Sequence, residues 1–412
     1  IHRPPIMLSV DEALELIKQH ITVLTDEPVD LSDAIGRVLA TDCHSTLDSP
    51  PYDKSMVDGF AIRSADLTEF GGEFQVLEEV IAGAVPTQSL RQGTTTAIMT
   101  GAPIPDGADA VIMVEYSTQQ PTSPDVVVLN HDPVKAGTNI LYQGTTLKVG
   151  DQVLQAGHTI SPATIGLLAE LGVSTPDVHR LTNVAILSTG DELMSIDQQP
   201  GPGQIRNSNG HLLQSLVRNS GATDRVLGVG RDDLGQLESL IKEGLNCEIL
   251  VLSGGVSAGV KDLVPQALSN LGVREIFHKV HLKPGKPLWF GVADSDNRKT
   301  LVFGLPGNPV SSMVCFLLFV VPAIRALQGG PFATLSSLRA TLTEAFKQRG
   351  DRPTYYPGVM ESSDDGIIVK PLRWKGSADQ LTLTMANCLV YFPAGKEEFS
   401  ESEDVSVFPL PW

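Results

Sequence analysis

Between Asn183 and Leu327 short apolar runs alternate with stretches whose apolar positions recur at three- and four-residue spacing. The runs NVAILST (183–189), DRVLGVG (224–230), EILVLSGG (248–255), EIFHKVHL (275–282) and TLVFGLPG (300–307) predict strands. Between them SNGHLLQSLVRNSG (208–221), DDLGQLESLIKEG (232–244) and LVPQALSNLG (263–272) predict helices, the second capped by Asp232. A long apolar helix from Pro309 to Leu327 closes the unit. Such alternation predicts a parallel sheet with helices on both faces, and ligands at the carboxyl ends of its strands.

The flanks have other textures. SVDEALELI (9–17) reads as an amphipathic helix with Ser9 and Glu12 at capping-box spacing. LSDAIGRVLA (31–40) predicts a second helix. SPATIGLLAELG (161–172) predicts another, with Ser161 as cap, Pro162 at the first helical position and Gly172 as stop. Between about Pro50 and Thr145, FQVLEEVIA, TTAIMT, DAVIMVEY and DVVVLN alternate with Gly/Pro turns, the pattern of a small all-β unit. The tail from about Ser336 is again strand-like, with ATLTEAF, GIIVKPL, CLVYFP and VSVFPL.

Charge narrows the function. The 412-residue chain carries a formal net charge of −18. That excludes a general nucleic-acid or anionic-membrane binder and leaves room only for a local basic pocket. Four scattered cysteines without a CxxC pair argue against a disulfide framework or structural zinc and for a reducing cytoplasm. The uninterrupted apolar run Met313–Ile324 is too short to span a bilayer and contains Pro322, so a buried helix is expected. The start IHRPPIMLSV lacks the form of a signal peptide, and a chain opening on isoleucine is read as trimmed.

The strand ends carry the candidate chemistry. They read STGDEL (Ser188, Thr189, Gly190, Asp191, Glu192), SGGVSAGVKD (Gly254, Gly255, Ser257, Asp262), LKPGKP (Lys283, Lys286, Pro287) and GLPGNPVSS (Pro306, Gly307, Asn308, Pro309, Ser311). Glycines leave amide N–H groups open to oxyanions, and Pro309 opens a helix whose N-terminus favours an anion. Two lysines on a proline-stiffened stretch suit a phosphate or a tetrahedral dianion. Glu192 and Asp262, on separate strand ends, could hold Mg²⁺ through oxygen ligands. His278 and His281, three apart on a strand, would face opposite sides and make a poor chelating pair. Asp58-Gly59 and TGAP, within PPYDKSMVDGFAIR and MTGAPIPDGADAV, read locally as turns.

In this order PPYDKSMVDGFAIR, MTGAPIPDGADAVIMVE, LSTGDEL, SGGVSAGVKD, LKPGKP and GLPGNPVS resemble the molybdopterin molybdenumtransferases, the bacterial MoeA type and the gephyrin E domain. The resemblance covers nearly the whole chain. It implies a multidomain α/β plus β protein: a discontinuous helical linker domain (1–45 and 146–178), an inserted β domain (46–145), a central parallel-sheet α/β domain that binds molybdopterin (179–328) and a small C-terminal β-barrel (329–412). It implies a cytoplasmic homodimer that inserts molybdate into adenylylated molybdopterin and releases AMP with the help of Mg²⁺. A molybdopterin adenylyltransferase would supply the substrate and molybdoenzymes would accept the product.

Residue by residue, the resemblance assigns Lys283, Lys286, Pro287, Ser311 and Arg352 to molybdate. Glu192 and Asp262 go to Mg²⁺ and the nucleotide phosphates, with Asp232 as a further acid of that cleft. Ser188, Thr189, Gly190, Asp191, Asn209, Gly254, Gly255, Ser257 and Pro306 to Pro309 go to nucleotide or pterin. Asp58 and Thr100 match cleft residues that reach across the dimer. Two stretches depart from the family pattern. Leu141 to Thr146 (LYQGTT) lacks the usual arginine and aspartate, and Asn207-Ser208-Asn209 stands where Asp-x-Asn is usual. The alternative readings are a gephyrin-like scaffold and a divergent paralogue with weakened activity. A molybdopterin adenylyltransferase is disfavoured by the extra β domains and the paired lysines.

Overall fold

The computed structural model describes residues 7–120, 123–255, 263–295 and 298–412. They form two compact units. One contains the chain up to Thr41, Gly157–Ile165 and Ser174–Trp412; the other contains Asp42–Ala156 and Gly166–Val173.

In the larger unit the N-terminal helix α1 (Val10–Lys18) begins at a complete capping box. Ser9 Oγ accepts the Glu12 N–H at 3.2 Å, and the Glu12 carboxylate accepts the Ser9 N–H at 2.7 Å. The helix expected over 31–40 does not form. Leu31–Asp33 makes one tight turn, and Gly36, at φ +75°, breaks the chain away before Val38 and Leu39 enter isolated bridges.

The central sheet contains β1 (Asn183–Thr189), β2 (Thr223–Gly230), β3 (Ile249–Ser253), β4 (Arg274–His278), β5 (Trp289–Ser295) and β6 (Arg298–Leu305). Its order is β2-β1-β3-β6-β5-β4. The first four positions are parallel, and β5 is antiparallel to both neighbours. The sheet is therefore mixed rather than wholly parallel, because the short LKPGKP connection joins β4 to β5 as a hairpin and leaves no room for a crossover helix. Two reversals return β4 to the direction of β6, so β1, β3, β4 and β6 all end on one edge.

Helices α2 (Ser208–Asn219), α3 (Leu234–Gly244) and α4 (Val264–Asn270) cover the sheet. The last helix, α5 (Pro309–Leu327), is continuous over 19 residues through a π-helical segment at Phe316–Val320. It is apolar enough to cross a membrane, but 94% of its apolar window is buried in protein, against both the sheet and α1. The buried-helix expectation for Met313–Ile324 holds, within a longer helix than that run alone marks.

Strands Leu338–Leu342, Thr354–Ser363, Gly366–Pro371, Cys388–Phe392 and Asp404–Pro409 close a five-stranded barrel around Val369, Val390, Phe392 and Val407. The other unit is built on a six-stranded sheet that includes Gly59–Ile62, Gly72–Val80, Thr94–Ile98 and Ala110–Met113.

Candidate functional site

Because β2 lies on one side of β1 and β3 on the other, the connections diverge between β1 and β3, which opens a crevice at their carboxyl ends. A cavity of about 760 Å³ occupies that place. Thr189, Gly190 and Glu192 line it from the end of β1, Ser253, Gly254 and Gly255 from the end of β3, and Pro306 to Pro309 from the end of β6. Gly254 sits at φ +89°, and a Cβ there would fall 2.8 Å from the Thr189 carbonyl oxygen. Only glycine lets the two strand ends approach so closely.

Asn209 also lines the cavity and ties it together. Its buried amide nitrogen donates to Ser253 Oγ at 2.8 Å and to the Gly307 carbonyl at 2.7 Å. Asn207 is the N-cap of α2, accepting the Gly210 N–H at 3.0 Å. An asparagine serves that cap as well as the aspartate usual in the resemblance.

Asp232 lines the same cavity and is not the cap of α3. The cap is Asp233, which accepts the Gln236 N–H at 2.7 Å. The expectation was one residue early, and the correction leaves the Asp232 carboxylate available to the cavity. Asp191 holds the 231–232 turn: its carboxylate accepts the Asp232 N–H at 3.0 Å and its carbonyl accepts Arg231 Nη1 at 2.6 Å. It is absent from the cavity wall, and Ser188 is buried behind it. Arg206 and Gln380, which the sequence reading missed, complete the wall.

A second cavity of about 530 Å³ shares Pro287, Pro306 and Asn308 with the first. Lys283, Lys286 and Ser311 line it from the sheet side, and Arg352, Lys375 and Ser377 from the C-terminal side. Main-chain pairing brings these together. Lys283 N–H donates to the Pro353 carbonyl at 2.9 Å, and Tyr355 N–H donates to the Lys283 carbonyl at 2.8 Å. The lysine loop is thereby stitched to the start of a barrel strand, which carries Arg352 alongside. Gly285, at φ +122°, packs on α5 so closely that a Cβ would lie 2.5 Å from Cys315 Sγ.

Arg352 donates to Asp351 Oδ2 at 3.1 Å and to the Leu282 carbonyl at 3.3 Å. No aspartate or glutamate is among the residues lining this cavity. Lys375, Tyr356, Trp374 and Ser377 were missed by sequence reasoning; no local motif marks them, because their role comes from the fold.

Asp58 and Thr100 lie in the other unit and meet directly. Thr100 N–H and Oγ1 both donate to Asp58 Oδ1 at 2.7 Å. These bonds hold the Asp58 carboxyl below the usual carboxylate range. Asp58-Gly59 is not a turn apex: Gly59 opens a strand flanked on both sides. In the departing stretch Gln143 bridges two acids, its N–H donating to Asp53 Oδ1 at 2.7 Å and its amide to Asp48 Oδ2 at 2.9 Å. Ser257 and Asp262 lie outside the described residues. Among the described residues no cluster of three or more His, Cys, Asp or Glu could hold a metal.

Three family models match the chain: "MoeA N-terminal region (domain I and II)" over residues 8–172, "Probable molybdopterin binding domain" over 185–326, and "MoeA C-terminal region (domain IV)" over 339–410. A curated molybdopterin molybdenumtransferase of Staphylococcus epidermidis is 32% identical over 406 residues, spanning 97% of this chain and 95% of its own length. One from Staphylococcus aureus is 31% identical over 405 residues, with the same coverage. The crystal structure of a molybdopterin biosynthesis MoeA protein from Pyrococcus horikoshii superposes with a TM-score of 0.83 at 29% identity, covering 98% of this chain and all of the other.

Proposed function

The chain belongs to the molybdopterin molybdenumtransferase family, a family of molybdenum cofactor biosynthesis, and on that premise we propose a division of labour between its two joined cavities. The first takes adenylylated molybdopterin, with phosphates against the Gly254-Gly255 turn. The second takes molybdate, whose two negative charges are met by Lys283, Lys286 and Arg352 with Ser311 beside them. At the shared wall of Pro287, Pro306 and Asn308 the pterin dithiolene reaches the oxyanion. The adenylate is cleaved from the molybdenum-loaded pterin by water, with AMP leaving.

Mg²⁺ belongs to the same proposal. Two carboxylates, Glu192 and Asp232, line the nucleotide cavity, and such a sparse donor set suits an ion that keeps waters and takes substrate phosphate oxygens for the rest. Glu192 would hold it, with Asp262 contributing by resemblance. When bound, the ion would neutralise charge on the phosphate as its P–O bond breaks. Asp232 and Asn209 would orient the nucleotide.

The four-domain division, the cytoplasmic location and the homodimer are parts of this reading. So are supply by an adenylyltransferase, delivery to molybdoenzymes and the use of Asp58 and Thr100 from a partner subunit.

The observation that carries the proposal is a wall of cations, drawn from two distant chain segments, in a protein of net charge −18. It joins a glycine-lined crevice of the kind that takes nucleotides. The test is AMP release from adenylylated molybdopterin under anaerobic conditions, with Mg²⁺ and with or without molybdate. Molybdate-dependent release of AMP, with a product that activates a cofactor-free molybdoenzyme, is expected. No release from folded protein would overturn the assignment in favour of a divergent paralogue.

A further inference from the structure

We propose that Lys375 is a fourth, specificity-determining cation of the second cavity, raising its affinity for a tetrahedral dianion and its preference for dianions over monoanions. The inference rests on the reading of that cavity as the oxyanion pocket. It adds a residue supplied by the C-terminal segment outside the LKPGKP and NPVSS motifs.

Lys375 is exposed, but the chain on each side of it is fixed. On the N-terminal side the Trp374 ring meets the Tyr356 ring edge to face at 5.2 Å, and the Trp374 backbone N–H donates to the Tyr356 hydroxyl at 3.4 Å. On the C-terminal side the Ser377 carbonyl accepts the Val310 N–H at 3.0 Å, and Ser377 Oγ accepts Asn308 Nδ2 at 2.8 Å. Between them the Lys375 N–H donates to Asp379 Oδ2 at 3.1 Å, and the turn closes through Asp379 N–H on the Gly376 carbonyl at 3.0 Å. The lysine therefore leaves a backbone anchored both to the barrel and to the first turn of α5, where Ser311 lies.

Charge supports the assignment. Among the described residues the ammonium groups of Lys283, Lys286 and Lys375 form no ion pair, whereas Arg352 is paired with Asp351. Asp351 tempers the charge of Arg352 but does not itself line the cavity. Asp351 also acts electrostatically on Lys283, and Asp379 on Lys375, but neither carboxylate lines the cavity, so all three lysines border a wall without an acid. Like charges held together this way repel until an anion arrives, so a dianion gains more from the third lysine than a monoanion does.

The experiment is calorimetric titration of the whole protein with sodium molybdate, and separately with perchlorate, at two ionic strengths. Lys375→Met and Lys375→Arg are compared with wild type and with Lys286→Ala. Lys375→Met should fold normally, bind molybdate about tenfold more weakly, and lose part of the salt dependence. Perchlorate affinity should fall less, and Lys375→Arg should recover most of the molybdate affinity. Unchanged molybdate binding in Lys375→Met, with binding lost in Lys286→Ala, would overturn the role of Lys375 and leave the pocket standing. Absence of binding to wild type, or binding indifferent to both lysines, would overturn the pocket reading itself. Equal losses for molybdate and perchlorate would overturn the charge-selectivity claim.

Discussion

The two joined cavities share three residues and little else. The first is lined by two carboxylates, one arginine and glycine-rich turns. The second is lined by three lysines and an arginine, with no acid on its wall. A nucleotide phosphate placed in the first meets negative side chains, so it needs a cation brought with it. An oxyanion placed in the second meets cations already there. Such a sorting of charge favours an anion without a metal on the lysine side and a metal-bound phosphate on the acid side.

The largest effect should come from breaking the cationic side. Lys286→Ala is expected to fold and to lose molybdate-dependent turnover, with binding weakened about 10- to 100-fold, the range for one charge-assisted contact. Calorimetry beside an AMP-release assay checks it. Binding retained with turnover lost would move Lys286 from oxyanion recognition to another role.

Breaking the other side should leave the oxyanion untouched. Gly254→Ala places a methyl 2.8 Å from the Thr189 carbonyl at positive φ, and should cost about 1–3 kcal/mol of stability. Nucleotide binding should fall while molybdate affinity stays within about twofold. Thermal denaturation and two titrations separate these outcomes.

A finer distinction is available between adjacent acids. Asp233→Ala removes the cap of α3 and should cost about 1 kcal/mol. Asp232→Ala should leave stability unchanged and slow AMP release instead. Reversed results would restore Asp232 as the cap.

The smallest expected change lies outside both cavities. Thr100→Val removes one of the two donors that hold the Asp58 carboxyl below its ordinary range. A carbon-detected NMR titration should show the Asp58 pKa move up. Because the folded pKa is depressed, the stabilisation is present above the ordinary carboxylate pKa. It is lost as pH falls through the folded value, and the variant should lose it at a higher pH.

Much of the larger unit was legible because periodicity and caps are local. The Ser9–Glu12 box, the alternation from Asn183 to Leu327 and the glycine-rich strand ends each depend on neighbouring residues. The misses share the opposite property. Whether Leu31 to Ala40 forms a helix depended on Gly36 taking a left-handed conformation, which nothing adjacent demands. Choosing Asp233 over Asp232 as cap required knowing where Asp191 would hold the turn. Lys375 and Trp374 belong to the second cavity only because residue 283 pairs with residue 354 and Ser377 docks on α5. Pairings so distant in sequence leave no mark on the segments they join.

That pairing has a consequence in time. A ribosome delivers Lys283 and Lys286 well before Arg352 and Lys375. A nascent chain that has emerged only as far as Leu327 carries both lysines, but not the strand that fixes their loop. The wall of the second cavity is thus complete only near the end of translation, once Arg352 and Lys375 have joined the lysine loop.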